Sequence, residues 1–290
     1  MNSFPTLKML VGIPGSGKTT YCKDFMLLHP DTVHISSDSI RQELFKDEND
    51  QTHNEIVFQE MHKRTLEALD RGITVLYDAT NINRKDRESL LRLCPSYVIK
   101  EAIVCWAPIE QCVLNDGKRE RTVGKTVIDK MLMKFQSPYF DEGFDRIYIN
   151  RAAFDRFGYQ TYYLDTDISQ DNPHHHLTLQ THQQRATEYI STISNDSTLR
   201  MSARIHDLGK LHTKSFLNTK GEKTGTAHFY GHAGYSGWIS YGIECDNNTK
   251  LAWLVSNHMD IYGNTKYYRR LPEFLKVELS MLYEADRYAH

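Results

Sequence analysis

The chain has 290 residues, 40% of them hydrophobic and 25% charged, with a formal net charge of −2. That length is sufficient for two domains with separate cores, and the near-neutral charge argues against long duplex DNA as a ligand. No apolar run approaches the roughly 20 residues that span a bilayer, the opening "MNSFPTLKML" has no secretory pattern, and the five cysteines lack a CxxC pair, as free thiols in a reducing cytoplasm do.

"LKMLVGIPGSGKTTYCKDFMLLHP" opens with a short apolar run that reads as a buried strand. It continues as G-x-x-x-x-G-K-T from Gly12 to Thr19. In such a loop, glycine lets backbone N–H groups close around phosphate oxygens at a helix N-terminus. Gly12, Gly15, Ser16, Gly17, Lys18, Thr19 and Thr20 are therefore the expected ATP contacts, with Lys18 reaching the β/γ-phosphates and Thr19 ligating Mg²⁺.

Strand and helix patterns alternate through "TVHISSDSIRQELF", "ITVLYDATNINRKDRESLLRL" and "SYVIKEAIVCWAP". This order predicts an α/β domain with a parallel sheet, whose ligands gather beyond the carboxyl ends of the strands. Asp38, Arg41 and Asp78 fall just past such ends. Phosphoryl transfer needs a base for the acceptor hydroxyl and cations around the γ-phosphate. Asp38 suits the base and Arg41 a bidentate clamp on an acceptor phosphate, while Asp78 is placed to hold Mg²⁺ or to orient Arg41. In "KRERTVGKTVIDKMLMK", Lys118, Arg119, Arg121, Lys125, Lys130 and Lys134 make a basic cluster, with Arg119 and Arg121 as a lid over ATP.

"GIPGSGKTT", "SSDSIRQEL", "YDATNINRKDR" and "RERTVGKTVIDKMLMKFQSPYFDEGFDRI" together resemble the kinase module of phage and bacterial polynucleotide 5′-kinases over about residues 7 to 150. The resemblance implies ATP- and Mg²⁺-dependent phosphorylation of 5′-OH ends, with Asp38 as general base and Arg41 as ligand of the acceptor phosphate. At the head of the lid motif that family has arginine and this chain has Asn115. Arg119 matches the second lid position, and Arg121 is a candidate substitute for the first.

The polar stretch "DTDISQDNP", residues 165 to 173, reads as a linker between a kinase domain, 1–167, and a second domain, 168–290, each with its own core. Ten of the 14 histidines follow it, which marks a different chemistry. His182, His206, His232, His258 and Asp286 recur at intervals of 24, 26, 26 and 28 residues, with Asp207 beside His206. That interval suits a helix, a turn and a helix back, so an all-α bundle would return each donor to one layer. Converging imidazoles are costly to bury unless a metal organises them. His228 and the histidines at 174–176 read as loop surface, with substrate contact as the alternative.

The pattern H…HD…H…H…D resembles the HD phosphohydrolase superfamily over about residues 174 to 290, through "ARIHDLGK", "FYGHAGYSG", "LVSNHMD" and "LYEADR". It implies that His182, His206, Asp207 and Asp286 bind one metal, that His232 and His258 help bind another across a bridging Asp207, and that Lys210 contacts the scissile phosphate. Such donors suit Mn²⁺, Fe²⁺, Co²⁺, Ni²⁺ or Zn²⁺. The two resemblances together imply a cytoplasmic phage or bacterial end-healing enzyme. It would act on RNA more than DNA ends, nicked tRNA among them. It would phosphorylate the 5′-OH, remove a 2′,3′-cyclic or 3′/2′-phosphate, and prepare ends for a ligase. The rivals are a nucleotide-metabolising kinase joined to an HD nucleotidase or cyclic-nucleotide hydrolase, and an HD hydrolase regulated by a P-loop ATPase.

Overall fold

The structure is a computed structural model that describes residues 4–151, 166–173 and 176–290. The chain divides into two compact units, one within Met1–Gly124 and Pro138–Phe154 and the other within Lys125–Ser137 and Asp155–His290.

The first unit is an α/β layer structure on a five-stranded parallel sheet of order β2-β3-β1-β4-β5. The strands are β1 (Thr6–Val11), β2 (Val33–Ser36), β3 (Val75–Asp78), β4 (Ile99–Cys105) and β5 (Arg146–Asn150). Leu7, Met9, Leu10 and Val11 of the central β1 are fully buried, which explains the apolar run from Met9 to Val11. The helices are α1 (Lys18–Leu28), α2 (Ser37–Phe45), α3 (Asn54–Asp70), α4 (Arg84–Leu91) and α5 (Ile109–Gly117). Ser36 ends β2 and caps α2 directly, accepting from the Ser39 N–H, so strand passes into helix without an intervening turn. α3 was not marked by any periodic run in the sequence, because its buried positions are few and separated by charged residues.

The loop after β3 ties the sheet to the phosphate loop. Asn81, in the left-handed region at φ 47°, donates through Nδ2 to the Leu10 carbonyl. The Gly12 N–H donates to the Thr80 carbonyl. Arg87 of α4 holds this loop from below, donating to the Asn81 carbonyl and, bidentately, to the fully buried Glu142. "NINRKDR" is thus a brace for β1 and the loop that follows it.

The second unit is mainly helical. It contains α6 (Lys125–Leu132), α7 (Leu179–Ile193), α8 (Ser197–Ile205), α9 (Lys210–Thr213), α10 (His232–Ser240), α11 (Asn248–Asn257), α12 (Lys266–Arg270) and α13 (Glu273–Tyr288). An antiparallel hairpin of β6 (Ser215–Leu217) and β7 (Lys223–His228) interrupts the helices, so the unit is not all-α as expected. Short strands rich in Lys, Gly and Thr carry too little apolar alternation to stand out.

The linear division at 167/168 also differs from what is found. Residues 125–137 lie in the helical unit, although the sequence places them inside the kinase half. The reason is apolar burial. Ile128, Leu132 and Phe135 are at most 2% exposed. The Phe135 ring meets Trp238 edge-on at 5.3 Å, and Tyr235 donates to Asp129 Oδ1 at 2.7 Å. Gly234 permits the approach, since a Cβ there would lie 2.2 Å from the Leu132 carbonyl oxygen. Lys125, Lys130 and Lys134 therefore belong to the helical unit, where Lys125 pairs with Asp129. The described part of the presumed linker is also built into this unit: Thr166 and Gln170 are buried, and Lys214 grips Ser169 and Asp171. Residue 165 and the histidines at 174 and 175 lie outside the described residues.

A fragment of residues 168–290 lacks α6 and should fail to unfold cooperatively by calorimetry. In the intact chain Leu132→Ala should destabilise the helical unit by about 2–5 kcal/mol. A fragment melting like the intact unit would mean that α6 is dispensable.

Candidate functional sites

The phosphate loop runs from the end of β1 into α1. Gly15 and Gly17 take φ values of 75° and 99°, open to glycine at little cost. A Cβ on Gly15 would lie 2.1 Å from the Cys112 carbonyl oxygen, so α5 packs directly on the loop. Gly17 is the N-cap of α1 and offers no side-chain cap. The first-turn amides of Lys18, Thr19 and Thr20 are thus left for another acceptor, as an anion-binding helix start requires. Lys18 folds back on the loop, donating to the Gly12 and Ile13 carbonyls at 2.8 and 3.0 Å. Burial lowers its pKa, against the opposing charge of Asp78, and Arg119 is close enough to lower it further. Ser16 is buried with an unpartnered hydroxyl and Thr19 and Thr20 are exposed at the helix start. These groups fit a Mg·nucleotide triphosphate.

Asp38 and Arg41 face one another at 3.1 Å on α2. The guanidinium is buried, and its other arm donates to Asn54 Oδ1 at 2.7 Å. Arg121 approaches the second Asp38 oxygen at 3.7 Å and Glu48 at 3.9 Å. Asp78 does not orient Arg41. It accepts from His34 at 3.1 Å and from the Cys22 thiol at 3.4 Å. Burial would raise the Asp78 carboxyl, but His34 and the Lys18 charge hold it below its usual range. Asn115 lies in α5 and donates to the Gly15 carbonyl at 2.9 Å, bracing the phosphate loop. Arg119 is exposed near Asp116. Asn54, His34 and Cys22 were not found from sequence, since none lies in a recognisable motif, and the loop contact of Asn115 pairs residues 100 apart, which the lid motif does not encode.

In the helical unit every donor expected from the spacing converges. His182 Nε2, His206 Nε2, Asp207 Oδ2 and Asp286 Oδ1 are 3.0–3.4 Å apart across their recorded pairs. His232 Nε2 lies 3.2 Å from Asp207 Oδ1 and 3.1 Å from His258 Nε2. Two metal-capable groups result, one of four donors and one of three, and they share Asp207. Ligands about 2.1 Å from one ion are about 3.0–3.4 Å from each other at octahedral to tetrahedral angles, so the spacing suits a transition metal.

The tautomers point the same way. The Nδ1 atoms of His182, His206, His232 and His258 face the carbonyls of Ala289, Ala203, Phe229 and Val255 at 3.3, 2.9, 2.8 and 2.7 Å. A proton is required on each Nδ1, which leaves the Nε2 lone pairs aimed inward. Lone pairs facing each other at 3.1–3.3 Å need a cation between them. Burial opposes charge on His206, but Asp207 and Asp286 outweigh it and raise its pKa to about 10. Burial, with His232 and His206 adding to it, pushes His258 down to about 3.

Lys210 is buried and donates to Asp207 Oδ2 and Gln170 Oε1 at 2.7 and 2.8 Å, so it holds the shared carboxylate. Tyr262 donates to Asp286 Oδ2 at 2.5 Å. The cluster floors a cleft of about 290 Å³ whose wall includes His228, Tyr230 and His290. His228 stacks on Tyr230, while the described His176 is exposed on the surface. Gln170, Tyr262 and His290 are site residues that no motif announced.

Residues 7–138 match the family described as AAA domain. A stretch of 146 residues, 48% of this chain, is 27% identical to the transcription factor bHLH140 of Arabidopsis thaliana, of which it spans 15%. Among solved structures, the chain is similar to a chain of the Pnkp1/Rnl/Hen1 RNA repair complex, at 26% identity and a TM-score of 0.44, over 58% of this chain and 54% of that one. It is also similar to a fungal RNA kinase, at 18% identity and a TM-score of 0.40, over 52% and 76% of the two chains. No helix among the described residues is long and apolar enough to cross a membrane. The matched segment, the phosphate loop and the parallel sheet make the N-terminal unit an α/β P-loop domain.

Proposed function

We propose that the protein heals broken nucleic-acid ends, RNA above DNA, by two reactions. In the first, Asp38 takes the proton of a 5′-OH as O5′ attacks the γ-phosphorus of ATP and ADP leaves. Arg41 orients the acceptor and, with Arg119 and Arg121, offsets developing charge, while Lys18 holds the phosphates and Thr19 and Asp78 serve Mg²⁺. The observation that carries this reading is the carboxylate of Asp38 held between Arg41 and Arg121 in a unit with an uncapped phosphate loop. A switch ATPase needs no such positioned base.

In the second reaction a 2′,3′-cyclic phosphate is opened and the phosphate removed, leaving an end for a ligase. His182, His206, Asp207 and Asp286 would hold one metal, and His232 and His258 a second, across Asp207. Bound cations would lower the pKa of an attacking water and neutralise phosphate charge. Lys210 and Tyr262 fix the two carboxylates, and the cleft wall receives the terminal nucleotide.

The P-loop-gated hydrolase is favoured by one fact: the chain after Arg121 runs straight into α6 of the helical unit. The two readings separate on one substrate, an RNA oligonucleotide with a 5′-OH and a 2′,3′-cyclic phosphate, incubated with γ-labelled ATP. The wild type should label the 5′ end and free the 3′ end. Asp38→Ala should lower labelling by about two to four orders of magnitude with ATP binding retained. Lys18→Ala should silence the kinase and spare the 3′ end. If it stops both, the gated reading replaces this one.

Asp207→Ala should lower the metal content measured by elemental analysis and abolish phosphate release, with 5′ labelling near wild type. Full metal content in that variant would remove Asp207 as the bridge.

A further inference from the structure

Cys22, His34 and Asp78 form a third metal-capable group, outside the helical unit. They come from three elements. Cys22 is buried on α1, one turn beyond Lys18 and so on its face of the helix. His34 lies on β2, and Asp78 ends β3, opposite Ser36 in the parallel register. Two residues before Ser36, His34 projects from the same side of the sheet.

Two of the three donor separations match those around a small tetrahedral ion. Metal distances of about 2.3 Å to sulfur and about 2.0 Å to oxygen or nitrogen place S and O about 3.5 Å apart, and N and O about 3.3 Å apart. Cys22 Sγ lies 3.4 Å from Asp78 Oδ2, and His34 Nε2 lies 3.1 Å from the same oxygen. All three donors fall within 4.8 Å of one another. His34 and Asp78 are partly open to solvent, at 32% and 17% side-chain exposure, so an ion has an entry path and room for water as a fourth ligand.

The donor chemistry excludes magnesium as the occupant. Mg²⁺ takes an octahedron of oxygens, whereas thiolate plus imidazole selects a softer ion. We infer that Cys22, His34 and Asp78 form an inhibitory site for a soft divalent cation such as Zn²⁺, which withdraws Asp78 from the phosphate loop. Binding forms the Sγ–metal bond and releases the thiol proton to solvent, with no change of oxidation state. The site itself needs only these three side chains; the inhibition rests on the kinase reading above.

Cadmium is the probe, because its thiolate charge-transfer absorption in the ultraviolet is blind to the thiol-free clusters of the helical unit. The intact protein should develop this band on titration in excess Mg²⁺, and Zn²⁺ should suppress it. Cys22→Ser should lose it. His34→Gln, which leaves the buried helix position untouched, should need at least about tenfold more cadmium. A band of equal size in Cys22→Ser, or unchanged cadmium affinity in His34→Gln, overturns the site. In the kinase assay, Zn²⁺ should suppress 5′ labelling by the wild type, and each variant, scored against its own zinc-free rate, should need at least about tenfold more zinc for the same fractional loss. Equal zinc sensitivity in all three proteins overturns the inhibition. A wild type that shows the band but never labels a 5′ end refutes the kinase reading and leaves the metal site standing.

Discussion

Burying the Asp207 carboxylate is the constraint on which the helical unit is arranged. The residue is 2% exposed, and both of its oxygens face positive or metal-seeking groups. Bare burial would raise its pKa, yet Lys210 and His206 hold it well below the ordinary range. A carboxylate kept ionised in an apolar interior must be surrounded, or the unit does not fold. The surrounding therefore dictates the packing: α7, α8, α10 and α13 each bring a donor, and backbone carbonyls set the ring orientations.

The same rule operates in the α/β unit on a smaller scale. Asp78 is kept ionised by His34 and by the Lys18 charge, and Glu142 is neutralised by a bidentate Arg87. These buried charges are not expected to add much net stability beyond apolar packing. Their effect is positional. Arg87 fixes the loop carrying Asn81, Asn81 fixes the end of β1, and the phosphate loop starts from there.

The route of the chain passes from one unit to the other at residue 124/125. Residues 117–124 leave α5, which packs on the phosphate loop, and enter α6, whose apolar side is covered by α10. His232, a donor of the shared cluster, begins that same helix.

The sequence by itself determined the phosphate loop, the parallel α/β character of the first half and the set of His and Asp donors in the second. Local spacing encodes each of these: glycines and lysine at set intervals, apolar runs of strand length, and donors returning once per helical hairpin. What only the tertiary structure decided are the partners of those groups. That α6 belongs to the helical core depends on Trp238 and Tyr241, a hundred residues away in sequence. That Asn115 braces Gly15, that Lys210 holds Asp207 and that Cys22 meets His34 and Asp78 are likewise long-range pairings. No local period encodes them, because they arise where helices and strands, each legible alone, are pressed together by burial of their apolar faces.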